Sequence, residues 1–171
     1  LNGKINAVLD GGRTRIGVES TVLDLSGKTP ELLRPGKITI GQLQKIIGKI
    51  KVHPLVRSQP RKGGKKAAAR SPGLAYRHYA PAAEVILVEG PKTKAAAKIK
   101  KIRAELSGKK VVVLKTSGKS NENIAARLFS EFRQADRKGA DIIIVQGVDG
   151  KGLGLAVMKR VRKAARRVIS A

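Results

Sequence analysis

The residues best suited to chemistry lie close together in one segment, Ser71 to Pro81 (SPGLAYRHYAP). Two of the four aromatic residues of the chain, Tyr76 and Tyr79, and one of its two histidines, His78, fall within it. Aromatic rings can form apolar walls around a ligand, and Arg77 and His78 can donate hydrogen bonds to its polar atoms. The segment therefore predicts a loop that folds over a ligand, although the same side chains could instead dock it onto a folded domain.

Two further groups, near the start of the chain, have residue types that bind anions and polar ligands. Arg34 precedes a rigid Pro-Gly pair, so its planar guanidinium is held where it could pair with phosphate oxygens. Ser20 lies in a predicted strand, and strand alternation places its hydroxyl opposite to Glu19 and Thr21. We expect Ser20 to face a ligand while Glu19 braces the scaffold from the other side. Taken alone, each group is also compatible with an ordinary surface turn or strand.

Other phosphate-binding and metal-binding patterns fit poorly. The segment Thr116–Ser120 has Val113 where a P-loop needs its first glycine, so we expect a strand-to-helix turn capped by Ser120. The glycines between residues 147 and 154 lack the spacing of a dinucleotide-binding loop and predict a tight turn before a helix. The chain has no cysteine and two histidines, which excludes thiolate chemistry and disfavours a zinc site held by protein side chains.

The chain of 171 residues carries a net charge of +25, from 37 Lys and Arg against 12 Asp and Glu. This charge points to phosphates or a polyanion, or else to a surface adapted to its ionic surroundings. The basic cluster Arg61–Lys66 (RKGGKK) could contact tRNA or another polyanion in a salt-sensitive way, or could be a solvated stretch. No apolar run approaches the roughly 20 residues needed to span a bilayer, so we expect no membrane association.

Composition and periodicity predict an α/β chain in three parts. Residues 1–50 have the pattern of a thin sheet unit, and residues 51–83 form a basic linker rich in Pro and Gly, without acidic residues. Residues 84–171 alternate aliphatic strands with helices, which is typical of a parallel sheet covered on both faces. We therefore predict a small Rossmann-like three-layer α/β/α domain for this last part.

The predicted elements follow from apolar spacing and turn residues. In the first part they are strands at 5–10, 17–25 and 31–34, and a helix at 40–50 preceded by a capping box of Thr39 and Gln42. In the last part they are strands at 85–88, 111–114 and 141–145, and helices at 93–106, 120–137 and 154–169. Phe129 and Phe132 share one stripe of the middle helix, so we expect them in the core rather than stacked on bases.

Five motifs, taken in order along the chain, resemble the Sua5 type of threonylcarbamoyl-AMP synthase. They are LDGG (9–12), GVESTV (17–22), LRPG (33–36), SPGLAYRHYAP (71–81), and GAD (139–141) together with GLG (152–154). The resemblance implies that residues 1–50 are the end of a YrdC-like catalytic domain, 51–83 the family's linker and 84–171 its C-terminal Sua5 domain. The chain departs from the family at Lys159-Arg160, where Asn-Arg is usual.

The resemblance also implies an activity. The amine of L-threonine captures bicarbonate or CO2, and the threonylcarbamate attacks the α-phosphate of ATP, so that pyrophosphate leaves and threonylcarbamoyl-AMP forms for the t6A modification of tRNA position 37. By the same resemblance Ser20 contacts threonine, Arg34 contacts ATP, and Tyr76, His78 and Tyr79 close over the nucleotide. Mg2+ is expected with ATP, no acid-base residue is assigned, and the cytoplasm is the expected compartment.

The family's Ser-x-Asn motif and its pocket of Lys and Arg would lie upstream of Leu1. We therefore expect this chain to be an incomplete C-terminal part of the enzyme, inactive alone. Two alternatives stay open at this point. One is a non-catalytic basic RNA-binding protein, whose binding would fall steeply with salt. The other is a nucleotide-binding regulator built on the last domain, which the glycine spacing disfavours.

Overall fold

Two β-sheets organise the computed structural model of the chain, which describes residues 3–12, 14–57, 80–116 and 118–171. The smaller sheet has three strands and the larger has four. The predicted loop residues Tyr76, His78 and Tyr79 lie outside the described residues, as does the basic cluster 61–66. The structure therefore bears on the surroundings of Ser20 and Arg34, and the predictions for the loop stay predictions.

The small sheet pairs three short strands. Strand β1 (Val22–Asp24) runs antiparallel to β2 (Glu31–Arg34), and β2 runs parallel to β3 (Lys51–Val52). Helix α1 (Ile40–Ile47) connects β2 to β3, and one helical turn, α2 (Pro54–Arg57), follows β3. The stretch that we predict as a linker thus opens with a strand and a helical turn that belong to this sheet unit.

Helix α1 begins at the predicted capping box. The amide of Gln42 donates to Thr39 Oγ1 at 3.3 Å, and the amide of Thr39 donates to Gln42 Oε1 at 2.9 Å. The box satisfies donors that the start of a helix leaves unpaired. The helix stops earlier than the predicted residue 50 because Gly48 adopts a φ of +72° and a ψ of −135°, a backbone conformation open to glycine that cannot continue a helix.

The first two predicted strands are wrong in extent. Residues 5–10 form no strand, and of residues 17–25 only β1 pairs. Val8 is 73% exposed, and in the described part of the chain no neighbouring strand satisfies its backbone. Ile16 and Val18 instead pack against the core of the domain formed by residues 84–171, which is called the second domain below. Their apolar pattern therefore serves a contact between the two parts of the chain rather than a β-ladder.

The large sheet is entirely parallel, as the aliphatic strands predict. Its elements are β4 (Glu84–Glu89), α3 (Lys92–Glu105), β5 (Val111–Leu114), α4 (Asn121–Arg137), β6 (Ile142–Gln146), α5 (Leu153–Ala164) and β7 (Arg167–Ser170). The strand order is β5-β6-β4-β7. Alternate residues of β4 enter separate cores: Ile86 and Val88 pack with α3, whereas Val85 and Leu87 pack with α4 and α5. The predicted three-layer arrangement is confirmed.

The last predicted helix is too long. It ends at Ala164, because Ala165 is extended with φ −64° and ψ +131°. Residues 167–170 then form β7, which pairs in parallel with β4 and completes a fourth strand that the sequence analysis does not predict. Val168 and Ile169 are β-branched, which favours the extended conformation over another helical turn.

Phe132 anchors α4 in the core of the second domain. It is 2% exposed and meets the ring of Phe129 edge to face, with the ring centroids 6.5 Å apart. Phe129 is only half-buried, at the margin of this core. The expectation that both rings are structural is consistent with these contacts.

The segments that carry Ser20 and Arg34 approach each other through their backbones at Gly36. A Cβ atom at Gly36 would lie 2.5 Å from the Glu19 carbonyl oxygen and would also collide with the Thr21 amide nitrogen. Thr21 Oγ1 adds a bond by donating to the Ile38 carbonyl at 2.7 Å. The close approach therefore requires glycine at this position.

Helix α5 also contacts the small-sheet unit. Buried Lys159 donates from Nζ to the Leu55 carbonyl of α2. Burial, together with the positive charges of Lys163, Arg160 and Arg162, lowers the pKa of Lys159 from its usual 10.5 to about 8. The second domain thus holds the end of the small-sheet unit with an ammonium group that is costly to bury.

Replacing Phe132 by alanine should destabilise the fold by about 3–5 kcal/mol, because it removes a fully buried ring and leaves a cavity. The change is measured as the free energy of unfolding in denaturant. Phe129→Ala is the matched control, and its cost should be clearly smaller because that ring is half-buried. Equal costs for the two variants would contradict the assignment of Phe132 as the anchor.

Gly36→Ala should disturb the approach of the two segments, because the new methyl group meets backbone atoms that cannot swing away. We expect a loss of about 2 kcal/mol or more in the free energy of unfolding. Gly41→Ala is the control: it lies within α1 with open space around it, and alanine should stabilise the helix there. A neutral effect at Gly36 would show that the approach is looser than described.

The free energy of unfolding should rise as the pH goes from about 8 to about 10.5. In this range Lys159 is neutral in the folded chain and still protonated in the unfolded chain, so a rising pH favours the fold. The expected gain is on the order of 2–3 kcal/mol. Equilibrium denaturation at a series of pH values and fixed ionic strength measures it.

Lys159→Met should flatten the rise of the unfolding free energy with pH. The part of the rise that remains is due to Lys163, whose pKa is also lowered by burial. Lys101→Met replaces an exposed lysine of α3 and should leave the rise intact. An unfolding free energy of the unsubstituted chain that stays flat between these pH values would refute the assignment.

Candidate functional site

Ser20 and Arg34, two residues that the sequence analysis singles out, are in direct contact. Arg34 Nε donates to the Ser20 carbonyl oxygen at 2.9 Å, and Arg34 Nη2 donates to Ser20 Oγ at 3.0 Å. Arg34 is the last residue of β2, and Ser20 precedes β1, so the antiparallel pairing of these strands brings them together. The contact joins two motifs that lie 14 residues apart in sequence.

The contact fixes the direction of both side chains. A hydroxyl that accepts a hydrogen bond still has its own proton to donate, so Ser20 Oγ can bind Arg34 and a ligand oxygen together. The guanidinium carries a permanent positive charge and a planar set of donors, which suits carboxylate and phosphate oxygens. Ser20 is exposed and Arg34 is half-buried, so the pair offers one polar, positively charged edge to a ligand.

Glu19 makes its own contact with the second domain, although residues 17–21 form no strand and the alternation predicted for them therefore does not apply. Its Oε2 accepts from Nε of Arg160, on α5, at 2.6 Å, and the two groups form an ion pair. Partial burial raises the pKa of Glu19, but the charge of Arg160 and hydrogen bonds outweigh this effect, so the pKa is lowered overall. Glu19 is therefore a carboxylate at neutral pH and braces the Ser20 segment against the second domain.

Arg160 is the residue that the sequence analysis missed at this site. In the sequence, Arg160 stands out only as part of the Lys159-Arg160 pair that replaces the family's usual Asn-Arg, and that pair indicates no role for it. A buried arginine on a helix usually has a carboxylate partner, so its apolar neighbours on α5 are the one signal that could have pointed to it. Its partner Glu19 lies 141 residues away in sequence, which no local pattern can reveal.

The glycine-rich turn before α5 has the tight geometry that its spacing predicts. A side chain at Gly154 would collide with the Asp149 carbonyl oxygen. The Asp149 carboxylate accepts from the Lys151 amide at 3.2 Å. An acidic side chain therefore already occupies part of the turn, which speaks against a phosphate site. Ser120 likewise acts as the predicted helix cap, accepting from the Asn123 amide at 3.2 Å.

Neither a cluster of metal ligands nor a membrane-spanning helix occurs in the described residues. Within residues 3–12, 14–57, 80–116 and 118–171, no three His, Cys, Asp or Glu side chains come together as a metal site would require. In the same ranges no helix combines the length and the apolar character needed to cross a bilayer. The site described so far is thus a hydroxyl and a guanidinium, supported from behind by an ion pair.

Comparison with protein families and relatives gives a consistent result. The family model of the threonylcarbamoyl-AMP synthase C-terminal domain (Sua5_C) matches residues 38–166. The threonylcarbamoyl-AMP synthase of Pyrococcus abyssi is 47% identical over 175 residues, covering 95% of this chain and 50% of that protein. The synthase of Bacillus subtilis is 36% identical over 181 residues, covering 96% of this chain and 50% of that protein. The chain therefore spans about half the length of the curated relatives it matches.

Solved structures agree. P. abyssi Sua5 in complex with L-threonine superposes with a TM-score of 0.87 at 47% identity, covering 99% of this chain and 52% of that one. A doubly substituted form of P. abyssi Sua5 gives a TM-score of 0.87 at 45% identity, covering 100% of this chain and 52% of that one. The five motifs, the three-layer domain and these matches lead to one conclusion: the chain belongs to the Sua5_C family, the C-terminal domain family of threonylcarbamoyl-AMP synthase.

Proposed function

We propose that this chain is the C-terminal part of an L-threonylcarbamoyladenylate synthase, a nucleotidyltransferase that makes threonylcarbamoyl-AMP and pyrophosphate from ATP, L-threonine and bicarbonate. The observation that carries the proposal is the contact of Arg34 with Ser20, because it aligns a hydroxyl and a guanidinium at one exposed edge. Membership of the Sua5_C family and the names of the curated relatives support the choice of reaction.

The proposed reaction needs positioning and charge neutralisation more than proton transfer by the protein. The threonine amine bonds to the carbon of bicarbonate with loss of water, or to the carbon of CO2 with release of a proton, and a carbamate forms. A carbamate oxygen then bonds to the α-phosphorus of ATP as the bond from that phosphorus to the leaving pyrophosphate breaks. We assign Ser20 to threonine and Arg34 to the phosphates of ATP. Arg34 can stabilise negative charge there, while Ser20 holds the amino acid in line. The L-threonine bound in a P. abyssi Sua5 structure supports the first assignment.

Several parts of the proposal rest on the resemblance alone. Tyr76, His78 and Tyr79 would close over the nucleotide, and the basic cluster 61–66 would contact tRNA or another polyanion. Mg2+ would be shared by the phosphates of ATP. The product would supply the t6A modification of tRNA, and we expect the reaction in the cytoplasm, where both ATP and tRNA are found.

The exposed face of α1 supports the view that the active enzyme needs more chain than these residues. The helix has a strong apolar stripe yet no buried residue, and Ile46 is 84% exposed. Amphipathic helices normally bury such a stripe. We propose that a further portion of the catalytic domain covers α1 and completes the substrate site, so that this chain alone is inactive.

The test is release of pyrophosphate with ATP, L-threonine and bicarbonate. We expect turnover from the protein extended by the sequence encoded upstream of Leu1, and none from this chain alone. In the extended protein Arg34→Ala should lower kcat/KM for ATP by about 100-fold, because a charge-assisted contact to phosphate is lost. Ser20→Ala should raise the KM for threonine about tenfold.

Lys45→Ala is the control, since Lys45 is an exposed cation of α1, and its turnover should be unchanged. Turnover by this chain alone would refute the incomplete site. Normal kinetics of both Arg34→Ala and Ser20→Ala would refute the site assignment. Absence of turnover from the extended protein, combined with RNA binding that weakens steeply with salt, would favour a non-catalytic RNA-binding protein.

A further inference from the structure

We infer that Arg160, on helix α5 of the second domain, is a positioning residue that holds Ser20 and Arg34 in place for substrate binding. This inference rests on the function proposed above and adds a residue to that site. It also gives the second domain a direct part in the reaction, because the group that sets the site geometry comes from the second domain.

The guanidinium of Arg160 holds two separate segments of the small-sheet unit. Its Nε donates to Glu19 Oε2 at 2.6 Å, and its Nη2 forms an ion pair with the same carboxylate. Its Nη1 donates to the Pro35 carbonyl at 2.7 Å and to the Ala156 carbonyl, one turn earlier on α5, at 3.3 Å. One planar group therefore fixes Glu19 and Pro35 relative to each other and to its own helix.

The two contacts with the small-sheet unit each lie one residue away from the site. Glu19 immediately precedes Ser20, and Pro35 immediately follows Arg34. Because Arg34 in turn binds the carbonyl and the hydroxyl of Ser20, the contacts close a ring that runs from Arg160 through both segments and back. A shift of the Arg160 guanidinium is thereby passed to both site residues at once.

The Ser20 segment benefits from such external support because no strand pairing holds its backbone. Strand β1 begins only at Val22, and its pairing with β2 shifts register between Val22 and Leu23. Helix α5, by contrast, is fixed by Val157 and Val161, which are buried in the core of the second domain. A side chain on a packed helix is a more rigid support than a neighbouring loop.

The surroundings of Arg160 fit positioning rather than ligand binding. The residue is 8% exposed, and all three guanidinium nitrogens contact Glu19, Pro35 or Ala156. Lysine would retain the positive charge at this place but not the planar arrangement that reaches the carboxylate and the carbonyl together. Arg160→Lys is therefore the informative variant, since it preserves charge and most of the volume.

The experiment uses the synthase extended by the sequence encoded upstream of Leu1. Arg160→Lys should raise the KM for threonine about tenfold with a smaller effect on kcat, while the thermal unfolding midpoint stays within about 5 °C. The same substitution made in a Ser20→Ala background should cause little further rise, because a positioning residue has no effect once the group it positions is gone.

Arg162→Lys is the matched control. Arg162 lies on the same helix and binds Glu89 of the second domain at 2.7 Å, so its replacement should leave the KM for threonine unchanged. An unchanged KM in Arg160→Lys, an equal rise in Arg162→Lys, or full additivity with Ser20→Ala would overturn the inference. Lack of turnover in the unsubstituted extended protein would instead refute the proposed function, before any variant is compared.

Discussion

The ion pair of buried Arg160 with the partly exposed Glu19 is the interaction on which the arrangement of the site depends. It joins a helix of the parallel-sheet domain to a segment that has no secondary structure of its own. A buried arginine needs partners for its charge and its donors, and here the Glu19 carboxylate balances the charge while that carboxylate and two carbonyl groups accept from Nε and Nη1. Nη2 contacts the same carboxylate as an ion pair without a hydrogen bond. The second domain thus holds the residues next to Ser20 and Arg34, and Arg34 and Ser20 also bind each other.

Local patterns were sufficient for much of the fold. The parallel sheet follows from aliphatic runs between amphipathic helices, and the start of α1 follows from Thr39 and Gln42, because both signals are contained in a few consecutive residues. Strand β7 was missed because its β-branched residues continue directly from the apolar stripe of α5, and only pairing with β4 distinguishes the two conformations. The strand predicted at 5–10 is wrong because its residues have an alternating pattern but no partner strand, and alternation alone does not produce a ladder.

The candidate site likewise contains residues that local patterns could predict and contacts that they could not. Ser20 and Arg34 could be chosen from residue type and neighbouring Pro and Gly. Strand alternation was no guide to Glu19, because residues 17–21 form no strand. The contact between Ser20 and Arg34 depends on strand pairing, and the role of Arg160 depends on the packing of two domains. Such relations arise between distant parts of the chain, so a single sequence contains no short-range signal for them.

The contacts of Arg160 have a consequence for how enzymes of this family can be recombined. A chimaera that takes its early part from one relative and its last domain from another must match the charge pair of Glu19 with Arg160 and also the bond from Arg160 to the Pro35 carbonyl. Since Ile16 and Val18 also pack into the second domain, these surfaces must vary together. The two domains are therefore separate in sequence but form one unit for exchange, and a working junction would fall upstream of residue 16.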